Sequence, residues 1–281
     1  MKIQLAESAG FCSGVKRAVR LALESVEAEH APVYMLGDIV HNEYVVLELR
    51  QAGMTVVESL DQIDFGVLLI RAHGAAPALY AAARRKGLKI IDATCPLVLE
   101  IHKFARQLDE EGYQVVVIGD RGHDEVGGIA AQVKEPVVIS SPEDVEKHFR
   151  RPYSRIGVVL QSTQDIRNVE NILGLLAARC RELKLFNTIC GPTSRHQEEI
   201  RTLPRENDVM IVIGSYTSAN TCRLTAIAKE LNPRSYQVES AGQIEAEWFK
   251  NVKSVGVSAG ASTPDNIIQE VIERIRTCEN S

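Results

Sequence analysis

LKIIDATCPLVLEI, Leu88 to Ile101, holds the pattern on which the fold turns: a short β-rich run, a cysteine, then the start of a helix. The same order occurs in IQLAESAGFCSGVKRA, Ile3 to Ala18, and in LKLFNTICGPTSRHQEE, Leu183 to Glu199. In each copy a thiol (Cys12, Cys95 or Cys190) ends the strand and precedes the helix, with Gly or Pro at once or within two residues. Helix N-termini stabilise thiolate. Three such settings predict a pseudo-symmetric molecule whose thiolates point at one centre. The units expected are 1–95, 96–190 and 191–281, with the N-terminal strand of the first available to pack with the third.

Outward from these copies, β-rich runs alternate with amphipathic stretches of helical length. IQLA precedes GVKRAVRLALESVEAE, VLLI precedes PALYAAARRKG, VVVIG precedes DEVGGIAAQV, and VMIVIG precedes NTCRLTAIAKELN. Strand runs nearly continuous in Val, Ile and Leu fit parallel strands covered on both faces. The fold class read here is α/β with mainly parallel sheets, in which ligands sit beyond the carboxyl ends of the strands.

Composition sets limits on function. The 281 residues are 45% hydrophobic and 25% charged, with 19 Gly and 10 Pro, which excludes collagen-like and disordered classes. A net charge of −5 gives no general attraction to nucleic acid or an anionic membrane. The opening MKIQLAESAGFCSG lacks the apolar stretch of a signal peptide, and no apolar run nears the roughly 18 residues that span a bilayer. A cytoplasmic protein without nucleic-acid or membrane partners is expected. There the six cysteines are thiols, ligands or nucleophiles rather than disulfides.

Cys180, Cys222 and Cys278 lie in helical patterns and are expected only to pack. For Cys12, Cys95 and Cys190 a metal site is expected. Structural zinc usually draws on local CxxC pairs, which are absent. An iron-sulfur cube takes four ligands, so three thiolates leave one iron open to substrate or water. Two rivals stay open: a zinc hydrolase using three cysteines and a loop histidine, and a cluster-bearing redox sensor.

Three of the seven histidines, His30, His102 and His148, fall in helical or helix-edge patterns and are expected at the surface. His41 in VHNEY, His73 in RAHGA and His123 in GDRGHDEV lie in loops, the latter two directly after strands. Glu125 is placed to send its carboxylate into the same cleft as His123 while Asp124 turns elsewhere. GSYTSANT (Gly214 to Thr221) and SAGASTPDN (Ser258 to Asn266) follow apolar strands and lead into helices, a hydroxyl-rich setting suited to phosphate or diphosphate. Neither a Walker A loop nor a GxGxxG after a strand is present, so nucleotide cofactors are not indicated.

Six motifs resemble one family across essentially the whole chain: GFCSGVKRA (Gly10 to Ala18), VHNEYVV (Val40 to Val46), AHG (Ala72 to Gly74), DATCPLV (Asp92 to Val98), GHDEVGG (Gly122 to Gly128) and VGVSAGASTPD (Val255 to Asp265). The sequence is similar to the 4-hydroxy-3-methylbut-2-enyl diphosphate reductases, the LytB or IspH proteins of the non-mevalonate isoprenoid pathway. The resemblance implies a trefoil of three α/β units around one 4Fe-4S cluster held by Cys12, Cys95 and Cys190. It implies reductive removal of the substrate's hydroxyl as water, giving isopentenyl and dimethylallyl diphosphates. The electron donor would be of the ferredoxin or flavodoxin class. By the same resemblance His41, His73, His123, Ser162, Ser218, Ala219, Asn220 and Ser262 would bind the allylic diphosphate, and Glu125 would deliver protons.

Two positions depart from the family's usual pattern. Gln161-Ser162-Thr163 stands where QTT is common, keeping a hydroxyl without the methyl that restricts χ1. Ser218-Ala219-Asn220 stands where SSN is common, so position 219 has only its backbone N–H to donate.

Overall fold

The computed structural model describes residues 1–278. β1 (Lys2–Leu5) leads by a loop to α1 (Ser13–Ala28). β2 (Val33–Leu36), α2 (Glu43–Gln51), β3 (Thr55–Val57), β4 (Val67–Ile70), α3 (Pro77–Arg85) and β5 (Lys89–Asp92) follow, and their strands form a parallel sheet in the order β3-β2-β4-β5. Next come α4 (Pro96–Glu110), β6 (Gln114–Ile118), α5 (Asp124–Ala130), β7 (Val137–Ile139), α6 (Pro142–His148), β8 (Tyr153–Leu160), α7 (Ile166–Ala177) and β9 (Cys180–Phe186). Their sheet is parallel in the order β7-β6-β8-β9. The last stretch runs α8 (Gly191–Ile200), α9 (Leu203–Glu206), β10 (Val209–Ile213), α10 (Ala219–Leu231), β11 (Ser235–Val238), β12 (Ser254–Ala259) and α11 (Asp265–Cys278).

The third sheet has the order β1-β12-β10-β11, again parallel. Each sheet therefore follows one rule: first strand inside, second on its outer side, third on the other side, fourth at the far edge. In the third sheet the fourth place is filled by β1, from the opposite end of the chain. Cys95 follows β5, Cys190 follows β9 and Cys12 follows β1, so each of these cysteines comes after the fourth strand of a sheet and directly before a helix. The α/β class with mainly parallel sheets is as expected.

Period-two alternation explains the layering. Val209, Ile211 and Ile213 of β10 pack with Ile267, Val271 and Ile275 of α11, whereas Met210 and Val212 face Leu224 and Ala228 of α10. In the second sheet Val116 and Ile118 meet α7 residues Val169 and Ile172, while Val115 and Val117 meet Ile101, Ala105 and Leu108 of α4. Burial of both faces explains why VLLI, VVVI and VMIVI contain no polar residue.

The described chain divides into two compact units. One contains residues 1–16, 41–46 and the chain from Gly191 onward, and the other contains Arg17–Val40 and Leu47–Cys190. No helix among the described residues is long and apolar enough to cross a membrane.

Two expectations are corrected. Cys180 opens strand β9, opposite Tyr153 of β8, instead of lying in a helix, because α7 ends at Ala177. His102 is buried at 4% exposure rather than at the surface. It belongs to the stripe Val98, Ile101, His102, Ala105, Leu108 by which α4 packs. His30 and His148 are exposed, as read from the sequence.

Candidate active site

In the larger unit, α4 begins immediately after Cys95, whose N–H donates to the Ala72 carbonyl at 3.0 Å. The approach to Cys95 is braced by Asp92, whose Oδ1 accepts from Thr94 N at 2.9 Å and whose Oδ2 accepts from the Tyr80 hydroxyl at 2.9 Å. Burial pushes the Tyr80 hydroxyl up to about 12, so it stays a donor. Arg17 adds a bond from Nη1 to the Thr94 carbonyl at 3.0 Å.

His73 lies in the turn after β4, closed by Gly74 N donating to Arg71 O at 3.1 Å. Its ring meets the His123 ring edge-on, with centroids 5.6 Å apart. His123 caps α5: its Nδ1 accepts the Glu125 N–H at 3.1 Å, which leaves Nε2 to carry the proton of the neutral ring. Asp124 turns away to Arg71, at 2.6 Å. Glu125 is 2% exposed, and both of its carboxylate oxygens accept from Ser162. Ser162 N donates to Oε1 at 2.6 Å and Ser162 Oγ to Oε2 at 2.9 Å. The Ser162 carbonyl in turn accepts the Cys190 N–H at 3.0 Å. One residue thus joins the buried acid to a cysteine loop. A cleft of about 440 Å³ opens at the carboxyl ends of β4 and β6, lined by Leu69, Arg71, Leu79, His123, Asp124 and Val126 among others.

In the smaller unit, Cys12 precedes α1, and its Sγ accepts the Val15 N–H at 3.4 Å. Asn42 caps α2 by accepting from Tyr44 N at 3.0 Å and Val45 N at 3.2 Å, which fixes the loop holding His41. The His41 carbonyl accepts from Ser262 Oγ at 3.2 Å, so those two positions are adjacent. Ser218 caps α10 by accepting from Thr221 N at 3.4 Å. Ala219 is the first helical residue, where a backbone N–H has no partner within the helix. Asn220 is buried at 5% exposure, and its Nδ2 lies 3.3 Å from Nδ1 of His196.

Glycines let the two hydroxyl loops close on each other. A Cβ at Gly260 would lie 2.1 Å from Thr221 Oγ1. One at Gly214, with φ +144°, would lie 2.7 Å from the same atom and 2.8 Å from Thr263 Oγ1. A polar cleft of about 430 Å³ beside Cys12 is lined by Ser8, Phe11, Lys16, Arg195, His196 and Glu199 among others.

A family model described as LytB protein matches residues 3–276. The chain belongs to the LytB family. It is 44% identical over 282 aligned residues to the 4-hydroxy-3-methylbut-2-enyl diphosphate reductase of Aquifex aeolicus (strain VF5), covering 99% of this chain and 97% of that protein. It is 43% identical to the enzyme of the same name from Geobacter sulfurreducens, covering 100% and 99%. A solved structure of (E)-4-hydroxy-3-methyl-but-2-enyl diphosphate reductase, the terminal enzyme of the non-mevalonate pathway, matches with a TM-score of 0.72 at 43% identity over 99% of this chain and 100% of that one. The structure of the Plasmodium falciparum E-1-hydroxy-2-methyl-but-2-enyl-4-diphosphate reductase matches with a TM-score of 0.91 at 27% identity over 97% and 87%.

Within the LytB chain the donor set suits an iron-sulfur group. Among the described residues no disulfide forms, and Cys12, Cys95 and Cys190 are half-buried, each at a helix start. The other three cysteines share no setting. Cys180 begins a strand, Cys222 is exposed rather than packed, and Cys278 is buried as expected. The sequence reading passed over His196, a buried histidine on α8. Its signal was present in TSRHQEEI, where His196 lies one turn before Ile200 on the packed face.

Proposed function

We propose that this chain reductively dehydroxylates 4-hydroxy-3-methylbut-2-enyl diphosphate to isopentenyl and dimethylallyl diphosphates, using one 4Fe-4S cluster ligated by Cys12, Cys95 and Cys190. The observation that carries the reading is the recurrence of fourth strand, cysteine and helix in all three sheets. The proposed units are 1–95, 96–190 and 191–281. When bound, the cluster supplies electrons and a Lewis-acidic iron lacking a fourth protein thiolate. The substrate gains two electrons and two protons, and its carbon–oxygen bond breaks to release water. The electrons come from a donor of the ferredoxin or flavodoxin class. Thiol-rich chemistry of this kind suits the reducing cytoplasm.

The protein's own residues divide the remaining work. Glu125 is the proton donor: a buried carboxyl can hold a proton that solvent does not exchange freely, and Ser162 orients both of its oxygens. Ser162 also lines the substrate. His41, His73 and His123, the Ser218 and Ser262 hydroxyls, the Asn220 amide and the Ala219 N–H hold the diphosphate. Neutral donors at helix starts, reinforced by imidazole N–H groups, suit an anion.

Single Cys→Ser replacements with anaerobic reconstitution test the reading. Cys12→Ser, Cys95→Ser and Cys190→Ser are expected to lose the brown colour, the iron and anaerobic turnover, while Cys180→Ser, Cys222→Ser and Cys278→Ser retain them. A colourless zinc-containing wild type, or full iron content in Cys95→Ser, would overturn it.

A further inference from the structure

His196 lies on α8 at 2% exposure, and the chemistry above leaves it without a task. Its two ring nitrogens have different partners. Nε2 lies 2.5 Å from the Ser8 carbonyl, which can only accept, so Nε2 carries the proton. Nδ1 lies 3.3 Å from Asn220 Nδ2, which can only donate, so Nδ1 is a bare lone pair. Both contacts demand the same neutral tautomer. Burial holds the pKa of the ring below its ordinary value; the Ser8 carbonyl and Glu199 oppose this, and Arg195 reinforces it. The ring is neutral at pH 7.

This tautomer also decides which way round the Asn220 amide sits. With its nitrogen on the ring, one N–H is used, leaving a second N–H and Oδ1. The flipped amide would set Oδ1 against the Nδ1 lone pair, a contact with no proton in it. An asparagine free to flip would spend part of its time offering oxygen to an anion, which repels it. His196 is anchored in turn, because Ser8 N and Oγ donate to Glu199 Oε2 at 3.1 and 2.8 Å. One ring therefore spans the loop leading to Cys12 and the start of α10.

We propose that His196 is a positioning residue of the diphosphate site: by accepting the Asn220 amide N–H it fixes the orientation in which that amide meets the anion. This rests on the reading of Asn220 as a diphosphate ligand. The two halves of the ring can be replaced separately. An asparagine at 196 reproduces an acceptor near Nδ1, and a glutamine reproduces the donor at Nε2 that reaches Ser8.

Calorimetric binding of inorganic diphosphate to the cluster-loaded enzyme is the test, with Asn220→Ala measured first. His196→Gln is expected to weaken binding by about three- to tenfold, the worth of one orienting hydrogen bond. His196→Asn is expected to stay within about twofold of wild type, and His196→Gln should add nothing in an Asn220→Ala background. Unchanged binding by Asn220→Ala would overturn the diphosphate reading and this inference with it. Weakened Asn220→Ala beside an unaffected His196→Gln, equal losses in His196→Gln and His196→Asn, or additive losses would overturn this inference alone. Nitrogen NMR of the wild-type ring is independent of how any variant folds. A protonated Nε2 with a bare Nδ1 at pH 7 is expected, and the opposite tautomer would overturn the proposal.

Discussion

A carboxylate shut away from water is costly unless its lone pairs are occupied, and Ser162 donates to both oxygens of Glu125. Glu125→Gln should therefore be tolerated structurally. Its oxygen can keep the Ser162 N–H, and its NH₂ can donate to an Oγ whose own proton turns away. What is lost is the transferable proton, so kcat should fall by about 10²- to 10⁴-fold with diphosphate affinity nearly unchanged. Near-normal anaerobic turnover at verified iron content would exclude Glu125 as the donor. His102 carries a second residue-scale prediction. Burial, reinforced by Arg106, lowers its pKa from 6.5 to about 4, so the fold prefers the neutral ring. That preference is fully available above the unfolded pKa near 6.5 and is lost as pH falls toward 4, amounting to on the order of 3 kcal/mol. His102→Leu should flatten the dependence of the urea midpoint on pH between 7 and 4; parallel wild-type and variant curves would count against it. The position was legible as part of a buried stripe only by its spacing from Val98, Ala105 and Leu108, since a single histidine among Glu100 and Lys103 reads as solvent-facing.

Elements built on strong patterns were legible, and those decided by tertiary contact were not. VLLI, VVVIG and VMIVIG announce buried parallel strands because no polar face is needed. β9 was legible only in its second half: LKLF reads as the strand run before Cys190, whereas Cys180-Arg181-Glu182 continues the helical pattern of LLAARC, and pairing of Cys180 with Tyr153 of β8 draws that start into the strand. The hydroxyl loops GSYTSANT and SAGASTPDN were recognisable by their residue types, but their mutual packing through Thr221 was not. Nothing in either loop states that its glycine faces the other's threonine. Gly260→Ala tests that packing. A methyl 2.1 Å from Thr221 Oγ1 meets a β-branched side chain with little freedom to move, so the backbone of the loop must shift. Overpacking of this kind costs about 1 to 3 kcal/mol, and the displaced Ser262 should lower diphosphate affinity as well. Unchanged melting temperature together with unchanged affinity would show that the loops adjust independently.

Across the whole molecule, the three sheets share one strand order, yet only two are contiguous in sequence. In the first sheet α3 links the third strand to the fourth, in the second α7 does so, and in both the helix reaches the next strand within a few residues. In the third sheet α11 follows the third strand, but the fourth is β1, at the other terminus. The cysteine repeat made the threefold pattern legible. The register of β1 on β12, with Lys2 opposite Ser254 and Leu5 opposite Val257, follows from edge pairing that a four-residue run does not encode. The interruption can be moved. A circular permutant that joins residue 281 to Met1 by a linker of about four to eight residues restores the missing helix-to-strand connection, within the lengths usual for such links. New termini between His30 and Ala31 fall in the loop separating α1 from β2, outside any ladder or helix. The permutant should fold, reconstitute iron to the wild-type level and melt within about 5 °C of the parent, since only loop-closure entropy changes. If no linker in that range yields a folded, iron-binding chain while the same opening at 30/31 is tolerated in a two-fragment complex, β1 and α11 are not the counterparts of β5 and α3, and the equivalence of the third sheet fails.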